Sequence, residues 1–287
     1  MPSLIDKVFL LLFVHKKKIL PVSESIDLTQ GRHKPIEIDL TTAFGTGQVE
    51  ILFQPVVNLA DLTMVGVEAL ARLRDSAGRI WLPDQFVPAA EKAGLAPNMS
   101  ENVVAEAILD FTTTFPLEAN LWLAINLPLS VFLALRSPAM VAERAKHHAL
   151  PPARITIELT ESQPVLDMAS LRHAIARWHL AGFKIALDDI EPATHNLWQL
   201  LDEPFAAVKL DMSVVTGLSH NAAAVDFVTD VVAHANKRGI HVVAEGVESE
   251  PMATQLRALG VDHAQGFLIS RPMQGTLLPA WWCNWLS

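Results

Sequence analysis

Five acidic residues hold comparable places along the chain. Glu68, Glu158, the Asp188–Asp189 pair and Glu245 close short, mostly apolar runs, Met64–Val67, Ile155–Ile157, Lys184–Leu187 and His241–Ala244. Asn126 and Lys209 close two more, Leu121–Ile125 and Ala206–Val208. Such a run is a candidate buried strand, and a carboxylate belongs at its end only where something offsets the cost of its charge. Carboxylates about 5 Å apart repel by roughly 3 kcal/mol per pair at an effective dielectric near 20. Gathered together, they would destabilise a fold unless protons or cations neutralised them. Oxygen ligands from Glu and Asp with one Asn carbonyl, and no His or Cys, favour Mg²⁺ or Mn²⁺ over Zn²⁺. The Asp doublet suggests two ions, a pair able to clamp a phosphodiester and acidify a water between them. Lys209 would position or deprotonate that water, its pKa pushed down by the cations. Arg72, four residues after Glu68, can hold a phosphate oxygen in its planar fork.

The elements that would position these groups alternate. Strand-like runs are Val49–Val57, Met64–Leu70, Leu121–Leu127, Arg154–Leu159, Phe183–Asp188, Ala206–Leu210, Ile240–Ala244 and Ala264–Ile269. Leu171, Ile175, Trp178 and Ala181 share one face of a helix from about Leu166 to Ala181, capped by Gly182. Val225, Val228, Val231 and Val232 mark another helix that ends before Gly239, and Pro83–Asp84 and Pro128–Leu129–Ser130 read as helix starts. Eight strands alternating with helices, with no Gly-rich phosphate turn after the first, predict a TIM-like (β/α)₈ barrel. In that α/β fold the C-terminal strand ends open onto one face, where active sites are built. The 287 residues suffice for one large domain. Residues 1–36 are expected to be a short N-terminal extension and residues 37–287 the barrel.

A net charge of −9 argues against a dedicated nucleic-acid binder. The single cysteine, Cys283, excludes an internal disulfide framework and a thiolate metal site. The apolar run Val8–Val14 is too short to span a bilayer, and Lys16–Lys18 lies on the wrong side for a signal peptide. A cytoplasmic protein is expected, with that run a peripheral strand or helix, or a contact for a membrane surface or partner. The eleven His residues show no metal spacing. His147–His148, His173, His179 and His234 read as surface or core-edge residues of helices, and Glu248 as a structural rim residue. Trp281, Trp282 and Trp285 are expected to pack a terminal helix on the barrel wall, the alternative being an exposed hot spot for a protein partner.

At these residues the chain resembles the EAL-domain cyclic-di-GMP phosphodiesterases. The matching blocks are Gln54–Pro55, Glu68–Ala69–Leu70 with Arg72, Phe86–Val87–Pro88 with Glu91 and Gly94, Asn126, and Glu158–Leu159–Thr160–Glu161–Ser162. Asp188–Asp189, Lys209–Leu210–Asp211, Glu245–Gly246–Val247–Glu248, and Gln265–Gly266–Phe267 with Arg271–Pro272 follow in order, over about residues 37–275. The resemblance implies that Glu68, Asn126, Glu158 and Asp188 ligate one metal. It implies that Asp188 and Asp189, with Glu245 nearby, ligate a second. Lys209 would contact the nucleophilic water, while Gln54, Leu70, Arg72 and Gln265 would lie near the dinucleotide and water network. Glu161 would anchor the loop after the Asp pair. A homodimer through the barrel is also implied.

That loop departs from the family pattern Phe-Gly-Thr-Gly-(Tyr/Phe)-Ser-Ser, reading Ile190-Glu191-Pro192-Ala193-Thr194-His195-Asn196. Without the two glycines any left-handed conformation they served becomes costly, and Pro192 removes an N–H donor. The expectation is a loosened second metal site and dimer contact. The implied activity is hydrolysis of cyclic di-GMP to linear pGpG. The rival is a silent module that binds cyclic di-GMP or a protein and signals by its shape.

Overall fold

The computed structural model describes residues 48–75, 78–160 and 167–285, with Leu40 and Phe44. The Val8–Val14 run, the lysine triplet and Glu161 lie outside the described residues. Eight strands close a barrel: β1 (Val49–Asn58), β2 (Met64–Arg74), β4 (Trp122–Leu127), β5 (Ile155–Thr160), β6 (Lys184–Ile190), β7 (Ala207–Leu210), β8 (His241–Ala244) and β9 (His263–Ala264). The two-residue β3 (Ile80–Trp81) flanks β2. Helices α1 (Pro83–Lys92), α2 (Ala96–Thr114), α3 (Leu129–Leu133), α4 (Ser137–His147) and α5 (Met168–Leu180) come first on the outside. They are followed by α6 (Leu197–Leu200), α7 (Met212–Gly217), α8 (Ala222–Asn236), α9 (Glu250–Ala258) and α10 (Leu278–Trp285).

The expected barrel forms, with three differences that bear on the site. First, β1 is antiparallel to both neighbours, β2 and β9. Period-2 hydrophobicity carries no strand direction, so this reversal has no signature in the pattern. Second, Glu68, Glu158 and Asp188 lie inside their strands, not at the last residue. The parallel ladder of β2 with β4 ends at Ala69, and β2 continues to Leu73 paired with β1. Likewise Asp188 is the last residue of β6 paired to β5, and the β6–β7 register shifts between Leu187 and Ile190. The polar groups therefore sit where parallel ladders break. Third, the expected strand Ala264–Ile269 stops at Ala264. Gly266 comes so close to the neighbouring chain that a Cβ there would lie 2.2 Å from the backbone nitrogen of Val247. That turn ends the strand and aims Gln265 inward.

The helices follow their patterns. Asp167 caps α5 by accepting from the Ala169 and Ser170 amides, and Gly182 leaves the helix at φ +90. Val228, Val231 and Val232 of α8 are buried, with Val225 partly so. In α10, Trp281 and Trp285 are core residues stacked at 5.4 Å, and Trp285 Nε1 donates to the Leu62 carbonyl at 2.6 Å. Trp282 packs edge-on against Phe115. The exposed hot-spot alternative is thus corrected: the indoles are used to close the barrel wall.

At the starts of β8 and β9 two histidines meet, His241 and His263, with ring centroids 5.1 Å apart. Burial, then the charge of His241, pushes His263 down to about 4 from an ordinary 6.5. The folded state therefore resists protonation there, so this contribution is full above 6.5 and is lost as pH falls toward 4. Between pH 7 and pH 5 the loss is about 2 kcal/mol. His263→Gln is expected to remove that part of the pH dependence in urea titrations, measured against wild type at each pH. Parallel pH curves for the two proteins would contradict it.

Candidate active site

Lys209, 2% exposed, stands at the centre of the barrel mouth. Its Nζ lies 2.6 Å from Glu245, 3.0 Å from both Glu158 and Asp188, and 3.3 Å from Glu68. An ammonium has three N–H donors, one fewer than the carboxylates around it. The strand order places the side chains: Glu68, Asn126, Glu158 and Asp188 come from the adjacent strands β2, β4, β5 and β6. Asn126 and Glu158 are direct partners in the β4–β5 ladder.

Around Glu68 the remaining polar groups interlock. Asn126 Nδ2 donates to its Oε1 at 2.6 Å and Gln265 Nε2 to its Oε2 at 2.7 Å. Gln265 also donates to Gln54 Oε1 at 2.9 Å, and Gln54 Nε2 donates to the Ser270 carbonyl at 3.0 Å. The buried Gln265 Oε1 has no hydrogen-bond partner. Because β1 is antiparallel, Gln54 is the direct cross-strand partner of Glu68.

Five carboxylates share one ammonium, and their protonation reflects the shortage. Burial would raise Glu68, but the Lys209 charge and the bonds from Gln265, Asn126 and Lys209 hold it below its usual range. Glu158 and Asp188 are both pushed up, first by burial. Burial, then Asp188, takes Asp189 to about 7, and burial takes Glu245 to about 8. For Lys209, burial acts downward, but the carboxylates outweigh it and raise it well above its ordinary value. The lysine expected to be pushed down by cations is, among protein groups alone, firmly protonated.

The donor set suits hard divalent cations. Glu68, Glu158 and Asp188 bring carboxylate oxygens within 4.8 Å of one another, and so do Asp188, Asp189 and Glu245. The two groups share Asp188. Asp189 reaches its place through a left-handed backbone at φ +55, with its amide bonded to Asp188 Oδ1 at 3.0 Å. A cleft of about 350 Å³ is lined by Glu68, Asp188, Asp189 and Glu245 with Asn126 and Gln265, while Glu158 and Lys209 do not line it.

A family model for the EAL domain matches residues 38–272. The chain belongs to the EAL-domain family. A cyclic di-GMP phosphodiesterase of Pseudomonas aeruginosa is 30% identical over 265 residues, covering 89% of this chain and 44% of that protein. The probable cyclic di-GMP phosphodiesterase PdeB of Escherichia coli is 28% identical over 234 residues, 82% of this chain and 44% of its own. The chain thus spans less than half the length of these curated relatives. Among solved structures, the PaMucR phosphodiesterase in its c-di-GMP complex superposes with a TM-score of 0.77 at 30% identity, covering 84% of this chain and 98% of that one. An EAL domain protein from Listeria monocytogenes has the same fold, with a TM-score of 0.74 at 24% identity over 85% of this chain and 98% of that one.

Within this EAL domain the altered loop avoids the expected strain. Neither Glu191 nor Ala193, which stand where the family pattern has glycine, is left-handed. The left-handed residue is Asn196 at φ +55, and asparagine tolerates that region. The loop closes on itself: Glu191 N donates to Thr194 Oγ1 at 2.9 Å, and Thr194 N to the Glu191 carbonyl at 3.0 Å. Glu191 and His195 are exposed. Leu70 lines the cleft; Arg72 does not, and its guanidinium donates to the Ala71 carbonyl at 2.8 Å. Glu248 is exposed, as is His173 in α5. Sequence reading missed the Ser270 carbonyl, which depends on chain direction and not on residue type. It also missed the contribution of α2 to the cleft, hidden within an ordinary core-facing helix pattern.

Proposed function

We propose that this EAL domain hydrolyses cyclic di-GMP to linear pGpG, with two Mg²⁺ or Mn²⁺ ions held by the two carboxylate groups that share Asp188. The observation that carries the reading is that sharing, with Lys209 in contact with four of the five carboxylates. Glu68, Glu158 and Asp188, with Asn126 adjacent, would hold one ion; Asp188, Asp189 and Glu245 would hold the other. Bound there, the ions would neutralise the carboxylates and acidify a water for attack on phosphorus. With the carboxylates neutralised in that way, Lys209 would have an N–H donor available to hold that water. Gln265, whose buried acceptor is unpaired, and Gln54, locked to it, would help to fix the substrate and water network. Arg72 would turn from the Ala71 carbonyl to a phosphate oxygen. As the water oxygen bonds to phosphorus, the bond to one 3′ oxygen breaks, leaving a 5′ phosphate. Residues 37–287 would form the catalytic unit. Among the described residues no helix is long and apolar enough to cross a membrane. Incubating the purified protein with cyclic di-GMP and either ion, with products resolved by chromatography, is expected to yield pGpG.

A second reading, a silent cyclic di-GMP-binding module, draws support from the loop at residues 190–196. It forecasts binding with no pGpG at any metal concentration. The hydrolytic reading expects weaker turnover at low metal, because Pro192 and Glu191 replace the backbone that the family places beside the second ion. Restoring Phe-Gly-Thr-Gly-Tyr-Ser-Ser at 190–196 is expected to shift the metal titration of activity to lower concentration by about tenfold. Coincident titrations would show that the native turn already supports that ion.

A further inference from the structure

One flank of the cleft is apolar. Leu70 of β2, Phe86 and Val87 of α1, and Met99 and Val103 of α2 line it, together with Ser100. Ser100 is the one polar side chain that α1 and α2 bring to the cleft among the described residues. It is 2% exposed, and its Oγ is sealed from solvent with no hydrogen-bond partner. A helical hydroxyl ordinarily bonds back to the carbonyl one turn earlier or faces water. Thr112 does so in the same helix, reaching the Ile108 carbonyl at 2.8 Å. Ser100 does neither. A buried hydroxyl left unpaired destabilises the folded state, so its place at the wall of a cleft calls for a partner that arrives there.

We propose that Ser100 is a specificity-determining residue, its hydroxyl pairing with a polar atom on the edge of a purine base seated on the apolar flank. This deepens the cyclic di-GMP reading above and rests on it. The cleft is amphipathic in the sense such a ligand needs. Carboxylates and amides at the strand ends suit phosphates and their cations, while the α1–α2 flank offers apolar area to a flat ring. A ring with polar edge atoms would be desolvated there without compensation unless the flank held a hydrogen-bonding group. Serine supplies donor and acceptor on one oxygen. Its single side-chain torsion lets it turn toward a ligand without backbone movement. A site built around such a bond rejects analogues that cannot make it.

The test compares wild type with Ser100→Ala in three measurements: calorimetric affinity for cyclic di-GMP, hydrolysis of the base-free bis(4-nitrophenyl) phosphate with Mn²⁺, and melting temperature. The variant is expected to bind cyclic di-GMP about 5–20-fold more weakly. It should cleave the base-free ester within about twofold of wild type, because the contact made to the base is lost and the phosphate machinery is not. Its Tm should be unchanged or about 2–4 °C higher, since an orphan hydroxyl has been removed. Ser100→Cys, close in size with a weaker donor, should bind with intermediate affinity. Unchanged affinity in the alanine variant overturns the proposal. So does an equal loss on both phosphodiesters, or a lowered Tm, which would mark a structural hydroxyl. Failure of the underlying reading shows separately in wild type. Wild-type binding without pGpG overturns hydrolysis but leaves the affinity and melting comparisons at Ser100 to decide the proposal, whereas wild type that binds no cyclic di-GMP overturns both.

Discussion

Glu68→Ala is expected to abolish turnover of cyclic di-GMP, by roughly a thousandfold or more, about 4 kcal/mol of transition-state stabilisation. Glu68 is the junction of the site, accepting from Asn126 at 2.6 Å and Gln265 at 2.7 Å while lying 3.3 Å from Lys209. It is also the one carboxylate of the five held below its ordinary pKa: burial pulls it up, but the Lys209 charge and the bonds from Gln265, Asn126 and Lys209 outweigh that. Its loss takes an oxygen ligand from one proposed ion and removes an acceptor from both Asn126 and Gln265. Calorimetry should show Mn²⁺ binding weakened along with activity. The fold is expected to survive, because Lys209 keeps Glu158, Asp188 and Glu245 within 3.0 Å. Full activity in this variant would sink the two-metal mechanism.

Much of this site was legible in the sequence because the barrel makes strand-end chemistry periodic. Apolar runs bounded by Glu68, Asn126, Glu158, Asp188, Lys209 and Glu245 bring their polar residues together, and eight of the expected site residues line a single cleft: Gln54, Glu68, Leu70, Asn126, Asp188, Asp189, Glu245 and Gln265. What was not legible depends on tertiary context. The reversal of β1 pairs Gln54 with Glu68, yet a strand reads the same in either direction. The early stop of β9 comes from a backbone approach at Gly266, where residue type marks a constraint but not its geometry. The loop at 190–196 looked strained when compared with a glycine pattern. Its left-handed residue is instead Asn196, three positions on from Ala193. The protonation of Lys209 likewise follows from which groups surround it, and not from its place on β7.

Lys209→Met separates the catalytic lysine from a structural one. An ammonium within 3.3 Å of four carboxylates occupies the region where the proposed divalent cations would neutralise the same oxygens. Removing its charge takes away a repulsion toward incoming cations and leaves the ligands in place. Mn²⁺ affinity is therefore expected to be unchanged or tighter, opposite to Glu68→Ala. Turnover should nonetheless fall by roughly two to three orders of magnitude in kcat, with KM little changed, as for an interaction made mainly in the transition state. Methionine keeps the length of the side chain and fills the space, which limits the cost of a cavity. The carboxylates left behind are already pushed toward protonation by burial, so protons can take up part of the missing positive charge. Calorimetry with Mn²⁺ and steady-state kinetics on the same preparation decide the matter. A variant that binds Mn²⁺ more weakly and melts far lower would make Lys209 a structural counter-ion. One that keeps kcat while losing substrate affinity would make it a phosphate clamp.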